Sequence, residues 1–335
     1  MIKVGVIGYG YWGPNLVRNL VAAPGAQVVS VCDLRPDRLE KVGDIYPAIK
    51  VTMDSEDIFK SSSIDAVVIC TPVSTHYELA MGAIKTGKHV LVEKPMAATS
   101  EQSQRLIEEA LRRKLTLMVD HTFIYTGAVR KIKELIQSGE IGDVYYYDSV
   151  RVNLGMFQHD VNVVWDLAVH DLSIMDYVLD TQPKAVSAIG ISNIPGSPEN
   201  IAYLTLFLEG NKIAHIHVNW LTPVKIRRTL IGGSNKMIVF DDLEPSEKLK
   251  IYNKGITINS DAENRYKVLV GYRVGDLWVP HVPHQEALQV EVCHFIDCVE
   301  HGKKPITDGE SGFRIVRILE AANKSIADSG ELIEL

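Results

Sequence analysis

Through the first 120 residues, short aliphatic and β-branched runs alternate with segments of helical periodicity. The runs Ile2–Ile7, Gln27–Cys32, Ala66–Cys70, His89–Val92 and Thr116–Val119 predict strands. The amphipathic stretches Asn15–Ala22, Pro36–Ile45, Thr75–Thr86 and Ser100–Lys114 predict the helices between them. These strands are apolar throughout rather than alternating, which is the pattern of a parallel sheet covered on both faces. The expected architecture is α/β, beginning with a doubly wound domain.

The pattern changes after His121. A helix is expected from Gly127 to Ser138, ending at Gly139, because glycine favours the position just past a helix end. Strand patterns follow at Val144–Val152, Ala185–Ile191, Ile201–Leu208, Ile213–Trp220, Arg227–Ile231 and Met237–Asp241. Turn signals such as Glu209-Gly210-Asn211 and Gly232-Gly233-Ser234-Asn235 join most of them directly, so a largely antiparallel sheet is predicted. A helix over Val163–Leu179 interrupts that series, and helices over Gln285–His301 and Gly309–Ser329 close the chain. The expected domains are residues 1–122 and an α+β domain of residues 123–335, its last helices packing back near the first.

Composition narrows the function. The 335 residues are 46% hydrophobic and 23% charged, with a formal charge of −7. That balance argues against a basic surface for nucleic acid or anionic lipid. No apolar run reaches the roughly 20 residues that span a bilayer. Met1-Ile2-Lys3 leads straight into a strand instead of a signal peptide, so a cytoplasmic location is expected. Cys32, Cys70, Cys293 and Cys298 form no C-x-x-C pair and read as reduced thiols. His281 with His284, and His215 with His217, have ligand-type spacing alone, and no metal is expected.

Candidate chemistry begins at Gly8-Tyr9-Gly10-Tyr11-Trp12-Gly13, a G-x-G-x-x-G that follows a strand and opens a helix. Asp33 ends the second strand 20 positions after Gly13, where a ribose-binding acid belongs. This setting predicts dinucleotide binding, with the helix start facing the phosphates. Asp33 repels a 2′-phosphate, which favours NAD over NADP. Leu34 and Arg35 flank it, and Arg35 leaves NADP as the lesser alternative.

Two further motifs suggest an oxidoreductase. Glu93-Lys94-Pro95 follows the strand His89–Val92, at the carboxyl edge where an open α/β sheet binds ligands. Pro95 biases Lys94 toward an extended backbone, from which it can stabilise an alkoxide as hydride leaves. A solvated lysine paired with Glu93 is the competing reading. In Trp165-Asp166-Leu167-Ala168-Val169-His170-Asp171, Asp166 and His170 stand four apart on a helix and share a face. A histidine there can take a hydroxyl proton while the carboxylate orients the ring. A helix-surface ion pair is the plainer alternative.

With these motifs in order, followed by Cys70-Thr71-Pro72 with His76 and by Pro305-Ile306-Thr307-Asp308-Gly309, the chain resembles the glucose–fructose oxidoreductase and inositol dehydrogenase (Gfo/Idh/MocA) family along nearly its whole length. The resemblance implies a Rossmann domain and an open-faced mixed sheet with the nicotinamide held between them. It implies that Lys94 and His170 act at a substrate alcohol and that Asp166 supports His170. It also implies that the segment from Thr71 and Pro72 to His76 lies along the cofactor, with Glu93 near the nicotinamide end. Homodimers or homotetramers through the open sheet are the implied assembly, which would cover its apolar face.

The segments Trp165–Leu179, Tyr272–Trp278 and Glu291–Asp297 look most like members that oxidise nucleotide-linked sugars, such as UDP-N-acetylglucosamine 3-dehydrogenases and their uronate counterparts. Such a substrate needs cations for its diphosphate and a flat group for its base. Arg151, Asn153, Lys225, Arg227, Tyr272 and Arg273 are the candidates, with Arg228 a further cation and Trp220 a second stacking surface. Inositol or a free sugar is the alternative substrate. An NAD-binding sensor or scaffold without turnover is the alternative of a different class.

Overall fold

The computed structural model describes residues 1–155, 160–179, 181–258 and 270–335, with the backbone alone described at 256–258 and 270–272. Two compact units emerge: Met1–Thr126 with Gln285–Glu320, and Gly127–His284 with Ala321–Leu335. The division therefore differs from a single cut after residue 122. Residues 285–320 join the first unit because their first helix binds its core through Val292 and Phe295, both fully buried.

The first unit is built on β1 (Ile2–Ile7), β2 (Ala26–Cys32), β3 (Lys50–Thr52), β4 (Ala66–Ile69), β5 (His89–Glu93) and β6 (Leu117–Asp120). They form one parallel sheet in the order β3-β2-β1-β4-β5-β6. The helices α1 (Gly13–Ala22), α2 (Pro36–Ile45), α3 (Glu56–Phe59), α4 (Val73–Lys85) and α5 (Ser100–Arg113) connect the strands. This is the doubly wound sheet expected from the apolar runs. Val67, Val90, Val92 and Val119 are wholly buried against Ile84, Leu106 and their neighbours. Each such burial contributes roughly 1.5–3 kcal/mol relative to exposure. β3 and α3 carry no legible period, since one is a three-residue edge strand and the other a single turn.

The second unit starts with α6 (Gly127–Gln137) and β7 (Val144–Leu154). A π turn (Val164–Ala168) and α7 (Val169–Val178) follow, then β8 (Pro183–Ile191), β9 (Ile201–Leu208), β10 (Lys212–Asn219), β11 (Leu221–Gly233) and β12 (Met237–Asp241). β13 (Leu249–Tyr252), β14 (Gly255–Ile258), β15 (Val270–Arg273) and β16 (Leu277–Trp278) come next. Helix α8 (Ala287–His301) and most of α9 (Gly309–Ala327) belong to the first unit, and β17 (Ile333–Glu334) belongs to the second. Nine strands form one sheet in the order β16-β13-β12-β11-β7-β10-β9-β8-β17. Only the β10–β7 pairing is parallel, so the sheet is mixed and largely antiparallel.

Alternation along the strands gives this sheet two unlike faces. On β9, Ala202, Leu204, Leu206 and Leu208 point inward, while Tyr203 and Phe207 stand exposed. Ile189 and Ile213 are exposed on the neighbouring strands, and Tyr203 stacks on His217 at 4.3 Å. Among the described residues no helix is long and apolar enough to cross a membrane.

Candidate active site

The glycine-rich turn joins β1 to α1 under tight steric control. Gly8 has φ +98°, and a Cβ there would sit 2.5 Å from the Cys70 carbonyl oxygen. A Cβ on Gly13 would meet the Gly8 carbonyl oxygen at 2.6 Å, so only glycine lets α1 start this close to β1. Trp12 precedes the helix and no side chain caps it, leaving first-turn amides to meet a phosphate. Tyr9 is buried behind the turn, whereas Tyr11 is exposed at its tip.

Asp33 sits at the end of β2 and is only 6% exposed. Its Oδ2 accepts from the Tyr9 amide at 2.7 Å and from Arg38 Nη1 at 3.2 Å, and its Oδ1 accepts from the Arg35 amide at 2.9 Å. A carboxylate offers about four acceptor positions, so one remains on Oδ1 for a ribose hydroxyl. Leu34 is exposed beside it. The cation next to Asp33 is Arg38, which also lies 3.5 Å from where a Gly10 Cβ would be. The Arg35 side chain turns away to Asp37 at 2.7 Å. Arg38 was missed because its spacing marks it only as a residue of α2.

At the carboxyl end of β5, Glu93 and Lys94 are partly exposed and lead into the cis Lys94–Pro95 peptide. Lys94 stands over two buried imidazoles, and its charge adds to the burial that depresses both. Burial pushes His121 down to about 3, so this ring is neutral near neutral pH. His76 is 1% exposed, with Nδ1 2.8 Å from the Pro95 carbonyl oxygen and Nε2 2.8 Å from that of Thr71. Both ring nitrogens face backbone carbonyls, and the neutral ring, with a single N–H, can donate to one of them. Thr71 itself bonds Thr75 through its hydroxyl at 2.7 Å, and Pro72 is exposed.

In the second unit, the helix expected over Val163–Leu179 is two elements. The π turn places Asp166 one helical type before His170, so i→i+5 bonding replaces the simple four-residue spacing between them. Asp166 accepts a hydrogen bond from Trp220 Nε1 at 3.0 Å. Trp220 is fully buried, so it anchors Asp166 and offers no stacking face. His170 lies in the first turn of α7 and is partly exposed.

Arg151 lies in the interior of the second unit. It is 3% exposed and bound to Asp171, with Nε 2.6 Å from Oδ2, while Ser149 donates to Oδ1 at 2.5 Å. This buried pair fastens β7 to α7 and gives Asp171 its structural role. Arg227 lies opposite Arg151 across the β11–β7 pairing and reaches Asp242 at 3.1 Å. Lys225 is exposed two residues earlier, and Asn153 is partly exposed at the matching end of β7. Lys225 makes no ion pair among the described residues, and the Arg227 guanidinium pushes its ammonium below the ordinary lysine range. Arg228 pairs with Asp241 at 2.9 Å. Arg273 donates to Asn253 Oδ1 at 3.0 Å and to the Asn235 carbonyl, which ties two loops together. The Tyr272 side chain lies outside the described residues. Among the described residues, no group of three or more His, Cys, Asp or Glu is placed to hold a metal ion.

Comparison with known proteins resolves the family. Residues 2–121 match the oxidoreductase family with an NAD-binding Rossmann fold, and residues 129–239 match the GFO/IDH/MocA C-terminal domain. The chain belongs to the Gfo/Idh/MocA family. It is an oxidoreductase that uses NAD, and the glycine turn with Asp33 fits that cofactor. The scyllo-inositol 2-dehydrogenase (NAD(+)) of Bacillus subtilis is 26% identical over 318 residues, covering 91% of this chain and 88% of that one. The UDP-N-acetylglucosamine 3-dehydrogenase of Acidithiobacillus ferrooxidans is 24% identical, covering 94% of both chains. Its solved structure superposes with TM-score 0.82, 23% identity and 98% coverage of each chain. An Agrobacterium radiobacter oxidoreductase in complex with NAD+, L-tartaric acid and magnesium superposes at 0.81, with 19% identity and coverage of 99% and 98%. These last two likenesses establish the fold.

Proposed function

We propose that this Gfo/Idh/MocA member removes hydride from a secondary alcohol of a nucleotide sugar, such as C3 of UDP-N-acetylglucosamine or its uronate. NAD supplies the hydride acceptor when bound. His170 takes the hydroxyl proton, Asp166 holds His170 in its acting orientation, and Lys94 stabilises the oxyanion that grows on the same oxygen. Family membership and the location of Lys94 at a strand's carboxyl end support this assignment. Oxidation of inositol or a free sugar would use the same three residues.

The observation that carries the nucleotide-sugar reading is the cationic ledge on β11. In a chain of net charge −7, Lys225 is exposed, makes no ion pair among the described residues, and sits in the positive field of Arg227. Neutral polyols give such a ledge no partner, whereas a diphosphate does. Calorimetric titration with UDP tests this. Wild-type protein is expected to bind UDP, and Lys225→Gln to bind it about tenfold more weakly, the loss of one charge-assisted hydrogen bond. Equal UDP affinity in the two proteins, or none in either, would contradict the diphosphate reading. A second copy of the chain, seated on the exposed face bearing Ile189, Tyr203, Phe207 and Ile213, is the proposed partner.

A further inference from the structure

Glu291, in the second turn of α8, is completely buried within the NAD-binding unit. Its carboxyl faces Asp120 at the end of β6 and Thr122 just beyond it. Neither Glu291 oxygen has a hydrogen-bond partner. Asp120 is different: although only 2% exposed, it accepts from Thr122 Oγ1 at 2.5 Å and from Trp12 Nε1 at 3.1 Å. Asp120 thus already receives two donors, and Glu291 none. Glu93 adds a further negative charge from β5, and the Cys70 thiol lies in the same field. His121, the residue after Asp120, is neutral and lies in the field of Lys94, so it supplies no compensating cation.

We propose that Glu291 is a neutral carboxylic acid donating its proton to Asp120, and that this pair positions Trp12 and with it the glycine-rich turn. The chain Glu291–Asp120–Trp12 links α8 through β6 to the start of α1. Glu286, just before α8, fastens the same two helices from outside. It receives Arg18 Nη1 at 3.0 Å, Arg18 Nη2 at 2.5 Å and Asn19 Nδ2 at 3.0 Å. α8 thus sets the position of the dinucleotide helix at two points, one solvated and one dry.

The protonation has a pH signature. Burial raises Glu291 well above the ordinary carboxylate range, and the charge of Asp120 raises it further. The folded protein then keeps a proton that the unfolded chain releases near its ordinary value, about 4.5. Stability from this site is therefore complete below that value and declines as pH rises toward the folded-state value. Glu291→Gln donates an N–H to Asp120 and removes that decline.

Infrared spectroscopy of the purified protein at neutral pH tests the proton directly. A carboxylic C=O stretch is expected in the wild type, shifted in deuterated buffer and missing from Glu291→Gln. Absence of that difference band would overturn the proposal. The positioning half is tested by Trp12→Phe, which keeps an aromatic ring but removes the indole donor. NAD affinity is expected to fall about tenfold, the usual consequence of leaving a buried charged acceptor short of a donor. Unchanged affinity would refute a role in shaping the turn, whatever the infrared result.

Discussion

His170→Ala is expected to lower kcat by about 10²–10⁴-fold, the range supplied by a positioned general base. It should also remove the ascending limb of the pH–rate profile for NAD-dependent oxidation. The limb arises because the acting ring must be unprotonated to take the hydroxyl proton, so activity grows as pH rises through its titration. Other imidazoles near the cofactor unit's strand ends are poorly suited to this role. His121 is neutral near neutral pH but wholly buried, and both nitrogens of His76 face backbone carbonyls. His170 is partly exposed at the start of α7, next to the Asp171–Arg151 pair that fastens that helix to β7. An alanine variant with the wild-type limb would remove His170 from the mechanism. Asp166→Asn, which keeps the Trp220 contact's acceptor, should show a smaller loss with the limb displaced.

Lys94→Ala is expected to lower kcat by about 10²–10³-fold, as for loss of one donor to a developing oxyanion. NAD affinity should change by less than about threefold, on the proposal that the glycine-rich turn and Asp33 hold the dinucleotide. The two effects separate catalysis from binding, which matters because a non-catalytic NAD sensor would bind equally well. Lys94 follows the carboxyl end of β5, and its charge acts on the buried rings of His76 and His121. Retention of the wild-type rate would return Lys94 to a solvated surface residue. Loss of NAD binding in parallel with rate would make it a cofactor residue first.

The apolar strands β1, β4 and β5 were legible because their inner residues, such as Ala66–Ile69 and Val90–Val92, are buried without polar interruption. The glycine turn and Asp33 were legible because backbone sterics and charge, acting over one strand–helix–strand unit, leave few alternatives. Side-chain fate within a motif was less legible. Arg151 reads as a cation for a phosphate until β7 is packed on α7, when Asp171 claims it. Trp220 reads as a stacking surface until its indole is seen donating to Asp166. Spacing alone also hid the π turn, since Val164–Ala168 has the same residue types as an ordinary helix. Arg38 and Glu291 stayed hidden for a related reason. Their partners lie on other elements, and nothing local distinguishes them from solvated helix charges. The short strands β3, β13, β16 and β17 carry too few residues for a period to register.

The most direct measurement of the central claim is the absorbance of reduced nicotinamide as the protein meets NAD with UDP-N-acetylglucosamine, its uronate, free hexoses and inositol in parallel. A ketone trap draws an unfavourable equilibrium forward without consuming the NADH that is read. NADH formation with a UDP-sugar, and none with inositol or free hexoses, is the expected result. Turnover of inositol or a free hexose without any UDP-sugar would contradict the substrate class while leaving the hydride chemistry standing. Silence across the whole panel, with NAD bound, would contradict the proposed activity itself.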